Sequence, residues 1–176
     1  MRALIGAVLM LGAALPARAQ PVAGDAALCR EGAPSILVEI LGLKDRMGEL
    51  RVELYPDTDP EFLGDDKKLE REEKTFRRVA FAPPSMGHAF ACIASPGPGR
   101  YSLVVIHSRD NVKKFNYHHD GIAFPGDPRL FFGKPPASKA WISVARGVTR
   151  VAVRLQYYDG FLGIGPVRHP VDEGRP

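Results

Sequence analysis

Three of the chain's five histidines, with two aspartates and two asparagines, fall in one short stretch, His107-Ser-Arg-Asp-Asn-Val-Lys-Lys-Phe-Asn-Tyr-His-His-Asp-Gly121. Imidazole nitrogens and carboxylate oxygens suit a borderline divalent ion such as zinc or copper when they converge on one point. Such a site would use His107 with His118 or His119 and Asp110 or Asp120. His118 and His119 are adjacent, so on extended backbone they point apart and only one can face His107. Oxygen donors at every second position, as in a calcium loop, give Ser108, Asp110, Val112 and Asn116. Val112 has no ligating side chain and one carboxylate remains, so a calcium site here would be weak. Without a metal, His107 caps a strand edge through its hydrogen bonds and the other two histidines are solvated. A pH-dependent role is a further option, because imidazole titrates near neutrality.

Hydrolytic and phosphate-binding signatures are missing from the sequence. It holds no Gly-x-Ser-x-Gly elbow, no His-Glu-x-x-His pair and no Gly-rich loop between a strand and a helix. Ser85 and His88 lie close together, but a triad needs a third, orienting group and is defined by geometry. The expectation is a protein without catalysis. No cofactor is implied beyond the alternative of a divalent metal ion at the His107 loop.

The loop leaves the most apolar segment of the chain, and a polar loop on a rigid strand end is a common place for function. From Ser35 onward apolar residues recur every second position, the spacing of a half-buried strand. In Gly48–Tyr55, Leu50, Val52 and Leu54 take one face while Glu49, Arg51 and Glu53 take the other. Arg150–Tyr157 repeats the device with Val151, Val153, Leu155 and Tyr157 inward. Ile36–Leu41, Ala89–Ala94 and Tyr101–His107 are more continuously apolar, as strands covered on both sides would be. Trp141–Ala145 and Thr75–Phe81 are weaker candidates, which makes about seven strands. Turns rich in Gly and Pro separate them, among them Pro83–Gly87 and Pro96–Gly99. Tyr101 follows such a turn, where a corner tyrosine can cover the core margin while its hydroxyl bonds upstream backbone. The fold class expected is an all-β, antiparallel β-sandwich, transthyretin-like or immunoglobulin-like.

Two segments break the pattern. Asp57–Lys74 is dense in charge of mixed sign and reads as a solvated loop excursion holding at most a helical turn or two. Residues 159–176 are rich in Gly and Pro and read as a flexible C-terminal tail.

Residues 1–19 carry Arg2, an apolar run from Ala3 to Leu15 and a small-residue site, Ala17-Arg18-Ala19, which together read as a secretory signal peptide. Two of the 24 basic residues, Arg2 and Arg18, lie in it, leaving 22 against 20 acidic ones. That near balance gives no reason to expect nucleic acid as a partner. No later apolar run is long enough to cross a bilayer, so the processed chain is expected in the periplasm or medium. The 176-residue chain is 45% hydrophobic and 25% charged, the make-up of a folded domain rather than a disordered one. In an exported protein an even pair of cysteines, Cys29 and Cys92, is most simply a disulfide. It would tie an N-terminal arm, residues 20–34, to a sandwich domain spanning 35–158.

The segments Ile36-Leu-Val-Glu-Ile-Leu-Gly-Leu43, Gly48-Glu-Leu-Arg-Val-Glu-Leu-Tyr55, Pro98-Gly-Arg-Tyr-Ser-Leu-Val-Val-Ile-His107, Phe115-Asn116 and Asp120-Gly-Ile-Ala-Phe-Pro-Gly-Asp127 carry a resemblance in order and spacing. Over roughly Ile36–Tyr158 the chain resembles the bacterial domain-of-unknown-function family numbered 2141. The resemblance implies export, a transthyretin-like or immunoglobulin-like sandwich and no assigned function. In many members the strand ending in His is followed by an acidic loop of the form Asp-Glu-Asn-Gly-Asn with a later Asp, similar to a calcium-loop fragment. Here those positions read Ser108, Arg109, Asp110, Asn111, Val112 and Asn116, so His107 carries over and the acidic pattern does not. The reading is an exported binding or envelope-associated module whose partner is an envelope protein or a small ligand. The alternative is a metal-binding protein using His107 and the His118/His119/Asp120 loop.

Overall fold

The computed structural model describes residues 20–131, 133–160 and 163–173, so the signal peptide expected over residues 1–19 lies outside the described residues. In chain order the strands are β1 (Val22–Gly24), β2 (Ser35–Leu41), β3 (Glu49–Tyr55), β4 (Arg77–Phe81), β5 (Ala89–Ala94), β6 (Gly99–Ser108), β7 (Gly121–Ala123), β8 (Trp141–Val144), β9 (Val148–Arg154), β10 (Gln156–Tyr158) and β11 (Ile164–Pro166). Two short helices, α1 (Ala26–Glu31) and α2 (Asp66–Arg71), complete the frame. The strands form a four-stranded sheet, β1-β5-β2-β9, and a seven-stranded one, β11-β10-β7-β6-β3-β4, with β8 also on β6. The protein is all-β and sandwich-like, as the alternation requires.

Period-two apolar residues explain the layers. Val52 and Leu54 of β3 pair in register with Val105 and Leu103 of β6, Leu50 pairs with His107, and all are fully buried. Against them, from the other sheet, pack Ile36, Val38 and Ile40 of β2, Ala91 and Ile93 of β5, and Val153 of β9. Burying each of the larger side chains is worth about 1.5–3 kcal/mol. This inter-sheet cluster is the principal core.

Several expectations need correction. Pairing is not purely antiparallel, because β2 runs parallel to β9 and β1 parallel to β5. The strand expected over Arg150–Tyr157 is two strands: β9 pairs with β2 in one sheet and β10 with β7 in the other. Fully buried Leu155 sits at the crossing, and its N–H bonds the Leu41 carbonyl at 2.9 Å. Alternation survives the switch, which hides it from the sequence.

The second face of β3 is not a solvated one. Arg51 and Glu53 are 4% and 3% exposed, and a second cluster covers that side, with Phe62, Leu69, Phe76 and Phe124 packed on Tyr55, Val104 and Ile106. The charge-dense stretch expected to be a solvated excursion supplies two of these residues, Phe62 and Leu69, and forms α2. Its Asp65 caps α2 by accepting the Lys68 N–H at 2.8 Å. Its charges work along the surface. Arg78 reaches Glu53 at 2.6 Å and Asp66 at 3.0 Å, and Lys113 closes on Asp66 at 2.8 Å. Those neighbours, Lys113 first, bring the Asp66 carboxyl down to about 2.

Nor is the described part of the C-terminal tail loose. Ile164–Pro166 pairs with β10, and Asp172, 6% exposed, accepts the Leu43 N–H at 2.8 Å. Val171 donates its own N–H to the Leu43 carbonyl. The N-terminal arm is fixed as expected. Cys29 and Cys92 are disulfide-bonded, placing α1 against β5, and the Asp25 carboxylate accepts the Ala94 N–H at 2.8 Å. The corner role of Tyr101 also holds, its hydroxyl donating to the Gly97 carbonyl at 3.1 Å.

Candidate functional site

The loop from Arg109 to Asp120 is organised by its last residue. Asp120, 1% exposed, accepts the Arg109 N–H on Oδ1 at 3.1 Å and the Asn116 N–H on Oδ2 at 2.8 Å. The Asn116 carbonyl accepts the N–H groups of His119 and Asp120, and its side-chain oxygen accepts that of His118. Asn111 adopts φ 60°, a left-handed turn that asparagine tolerates, while Asp110 Oδ1 takes the Val112 N–H. Ser108 Oγ donates to the Val112 carbonyl. Ser108 Oγ, Asp110 Oδ1 and Asn116 Oδ1, three oxygens of the anticipated calcium ladder, are therefore spent on bracing the loop.

His107 does not cap an exposed rim. It is fully buried between the sheets, where Nε2 faces the Met47 carbonyl at 2.8 Å and Nδ1 faces Tyr157 Oη at 2.7 Å. A carbonyl only accepts, so Nε2 carries the proton and Nδ1 accepts from the tyrosine. Tyr157 Oη in turn accepts the Lys44 N–H at 3.2 Å. Burial is the largest influence on the His107 imidazole and holds it below its ordinary range, against the opposing Met47 carbonyl and Asp45. Burial likewise raises the Tyr157 hydroxyl, which stays a proton donor. Both nitrogens of His107 are committed, so it is no member of a metal set with His118 or His119. This corrects the ligand set anticipated around His107.

Nearby, Asp45 receives Arg109 Nε at 2.7 Å, and Arg109 Nη1 reaches the His119 carbonyl. Burial alone would lift the Asp45 carboxyl, but Arg109 and the Met47 N–H outweigh it and leave it below the usual range. The adjacent histidines do point apart. His119 turns toward Asp110 and Asp120, with Nδ1 at 3.9 and 3.5 Å from their oxygens. His118 turns outward and packs edge-on against Tyr117 and Tyr158, at centroid distances of 5.1 and 4.7 Å. Ser85 and His88 do not pair; His88 Nδ1 bonds Glu39 at 2.8 Å instead.

Beside these rings opens a cleft of about 620 Å³ whose walls include Tyr117, Arg129, Phe131, Arg154, Ile164 and Pro166. Tyr117 and Tyr158 lie 5.1 Å apart, and Phe131 is 78% exposed. The loop singled out from the sequence contains Tyr117, whereas Arg129, Phe131 and the β11 wall lie outside it. The available signal was the apolar triplet Leu130-Phe-Phe132, stranded in Pro- and Gly-rich chain with no strand pattern to absorb it.

The family model described as "Uncharacterized protein conserved in bacteria (DUF2141)" matches residues 38–152. The chain belongs to this family. No curated protein and no solved structure matches it. The DUF2141 match begins in β2, contains the whole His107–Gly121 stretch and ends within β9. The cleft straddles that limit, since Tyr117, Arg129 and Phe131 fall inside it while Arg154 and β11 follow it. Tyr157, which completes the His107 hydrogen bonds, also follows it.

Proposed function

We propose that this DUF2141 protein is an exported, non-catalytic binding module whose working surface is the cleft beside the Arg109–Asp120 loop. The observation that carries the reading is the cluster of Tyr117, His118 and Tyr158 rings next to a 620 Å³ cleft that also presents exposed Phe131. Partly exposed aromatic rings provide large contact area at low entropy cost, and such residues dominate binding energy where they anchor a ligand. Arg129 gives the cleft a donor for a polar or anionic group, while the Arg154 guanidinium pairs with Glu173. The leader-like residues 1–19 and the Cys29–Cys92 disulfide support an oxidising, extracytoplasmic setting. A small ligand or a segment of an envelope protein suits a cleft of this size.

The test is an array of envelope-derived glycans and peptides probed with the processed chain and with Tyr117→Ala and Phe131→Ala. Ligands held in the cleft should lose about tenfold or more in affinity in each variant, as truncation of an aromatic anchor does. An array without signal, or binding that both variants retain in full, would refute the assignment.

A further inference from the structure

The geometry points to a second site, independent of the cleft: a zinc-class divalent cation site formed by Asp110, His119 and Asp120. One ligand atom from each residue lies within 4.8 Å of the other two. His119 Nδ1 stands 3.5 Å from Asp120 Oδ1 and 3.9 Å from Asp110 Oδ2, too far for good hydrogen bonds. Ligands about 2.1 Å from a shared ion in a tetrahedral array are roughly 3.4 Å apart, so a small inward movement completes the set.

A second observation concerns His119 alone. Its Nδ1 atom is buried, although the side chain as a whole is 38% exposed, and has no hydrogen-bond partner among the described residues. A buried polar atom without a partner calls for an explanation, of which a bound ion is one. The atom is aimed at two carboxylates and stands beside one that is fully buried, Asp120. Its neighbours prepare the site. Asp120 is held by the N–H groups of Arg109 and Asn116, and Asp110 is pinned through Oδ1 by Val112, which leaves Oδ2 to ligate. Backbone donors of this kind orient metal ligands. The Arg109 guanidinium is engaged by the Asp45 carboxylate and the His119 carbonyl.

The donor set decides the class of ion. One imidazole nitrogen with two carboxylate oxygens fits zinc and its borderline neighbours, whereas calcium and magnesium require oxygen throughout. Two carboxylates balance a divalent charge, and half-exposed Asp110 leaves room for water at a fourth position.

Zinc chloride titrated calorimetrically into the full processed chain, previously treated with chelator, tests this. One zinc per chain is expected. His119→Ala and Asp110→Asn should weaken it at least as much as the roughly 10–100-fold that loss of an outer-shell partner costs. Asp110→Asn keeps the oxygen that receives the Val112 N–H, so it removes the ligand charge without undoing the turn. His118→Ala, on the outward side of the loop, should bind as the parent does. Absence of stoichiometric zinc, unchanged binding in His119→Ala, or tighter binding of calcium than of zinc would overturn the site. Should His119→Ala fail to fold, ring-nitrogen resonances of the parent protein decide: zinc must shift Nδ1 of His119 and leave His118 unmoved.

Discussion

His107 and Tyr157 are joined through Nδ1 and Oη at 2.7 Å across β7, whose Gly121 is paired with both of them. The glycine makes the bond possible. A Cβ at Gly121 would stand 2.4 Å from the Tyr157 ring, so any side chain there evicts the tyrosine from its position over the strand. Three residues from three neighbouring strands thus form one unit within the inter-sheet core.

Tyr157→Phe removes the hydroxyl from this unit, strands the buried His107 Nδ1 and takes the acceptor from the part-buried Lys44 N–H. The expected loss is about 1–3 kcal/mol in urea unfolding. Gly121→Ala should cost about as much through overpacking. A midpoint unchanged in both variants would show that the unit contributes nothing to stability.

The same unit sets a pH dependence. Burial keeps the folded His107 below its ordinary 6.5, so the unfolded chain takes up the proton first as acid is added. The stability attached to His107 is therefore complete above about pH 6.5 and is lost as the pH falls from there through the folded-state value. Asp45 and Asp66 lie below 3.8 in the folded chain and add losses only further down. Unfolding midpoints measured across pH 7 to 5, a window of about two units around that value, should fall in the parent and stay flatter in His107→Gln. Equal slopes would remove the imidazole from the account.

Reduction of the Cys29–Cys92 bond opens a loop with a sequence separation of 63. In the chain-entropy description that costs about 4 kcal/mol. Intact-mass measurement of unreduced protein taken from its native compartment should find no alkylatable thiol, and addition of reductant should lower the unfolding midpoint. Two free thiols in the native sample would contradict the bridge.

Tyr101→Phe tests the corner. Losing the bond to the Gly97 carbonyl should cost about 1 kcal/mol. An unaltered midpoint would reduce Tyr101 to an ordinary packing residue.

What the sequence discloses follows from how each element is buried. β3 and β6 alternate or run apolar over seven to ten residues, so their faces are written plainly. β1, β7, β10 and β11 are three residues each, too short for a period to register. Phe62 and Leu69 are separated by charged residues whose partners, such as Arg78 and Lys113, are remote in sequence, so the covering role of α2 was invisible. The destination of His107 was hidden for a related reason. Its two partners, Met47 and Tyr157, lie 60 and 50 residues away, and nothing local distinguishes a satisfied core histidine from a ligand. The loop chemistry was legible in kind, and His119 does meet two carboxylates, but which imidazole would join them depended on the turn at Asn111.

β1 lies at the outer margin of the four-stranded sheet and is held beside β5 by three residue pairs, by Asp25 and by the disulfide. When that short strand leaves, the flank of Ala89–Ala94 presents unpaired donors and acceptors to any passing chain, which is how strands recruit foreign strands. The covalent link thus also acts as a safeguard against self-association, and a reduced population at high concentration would meet its own copies through that exposed flank.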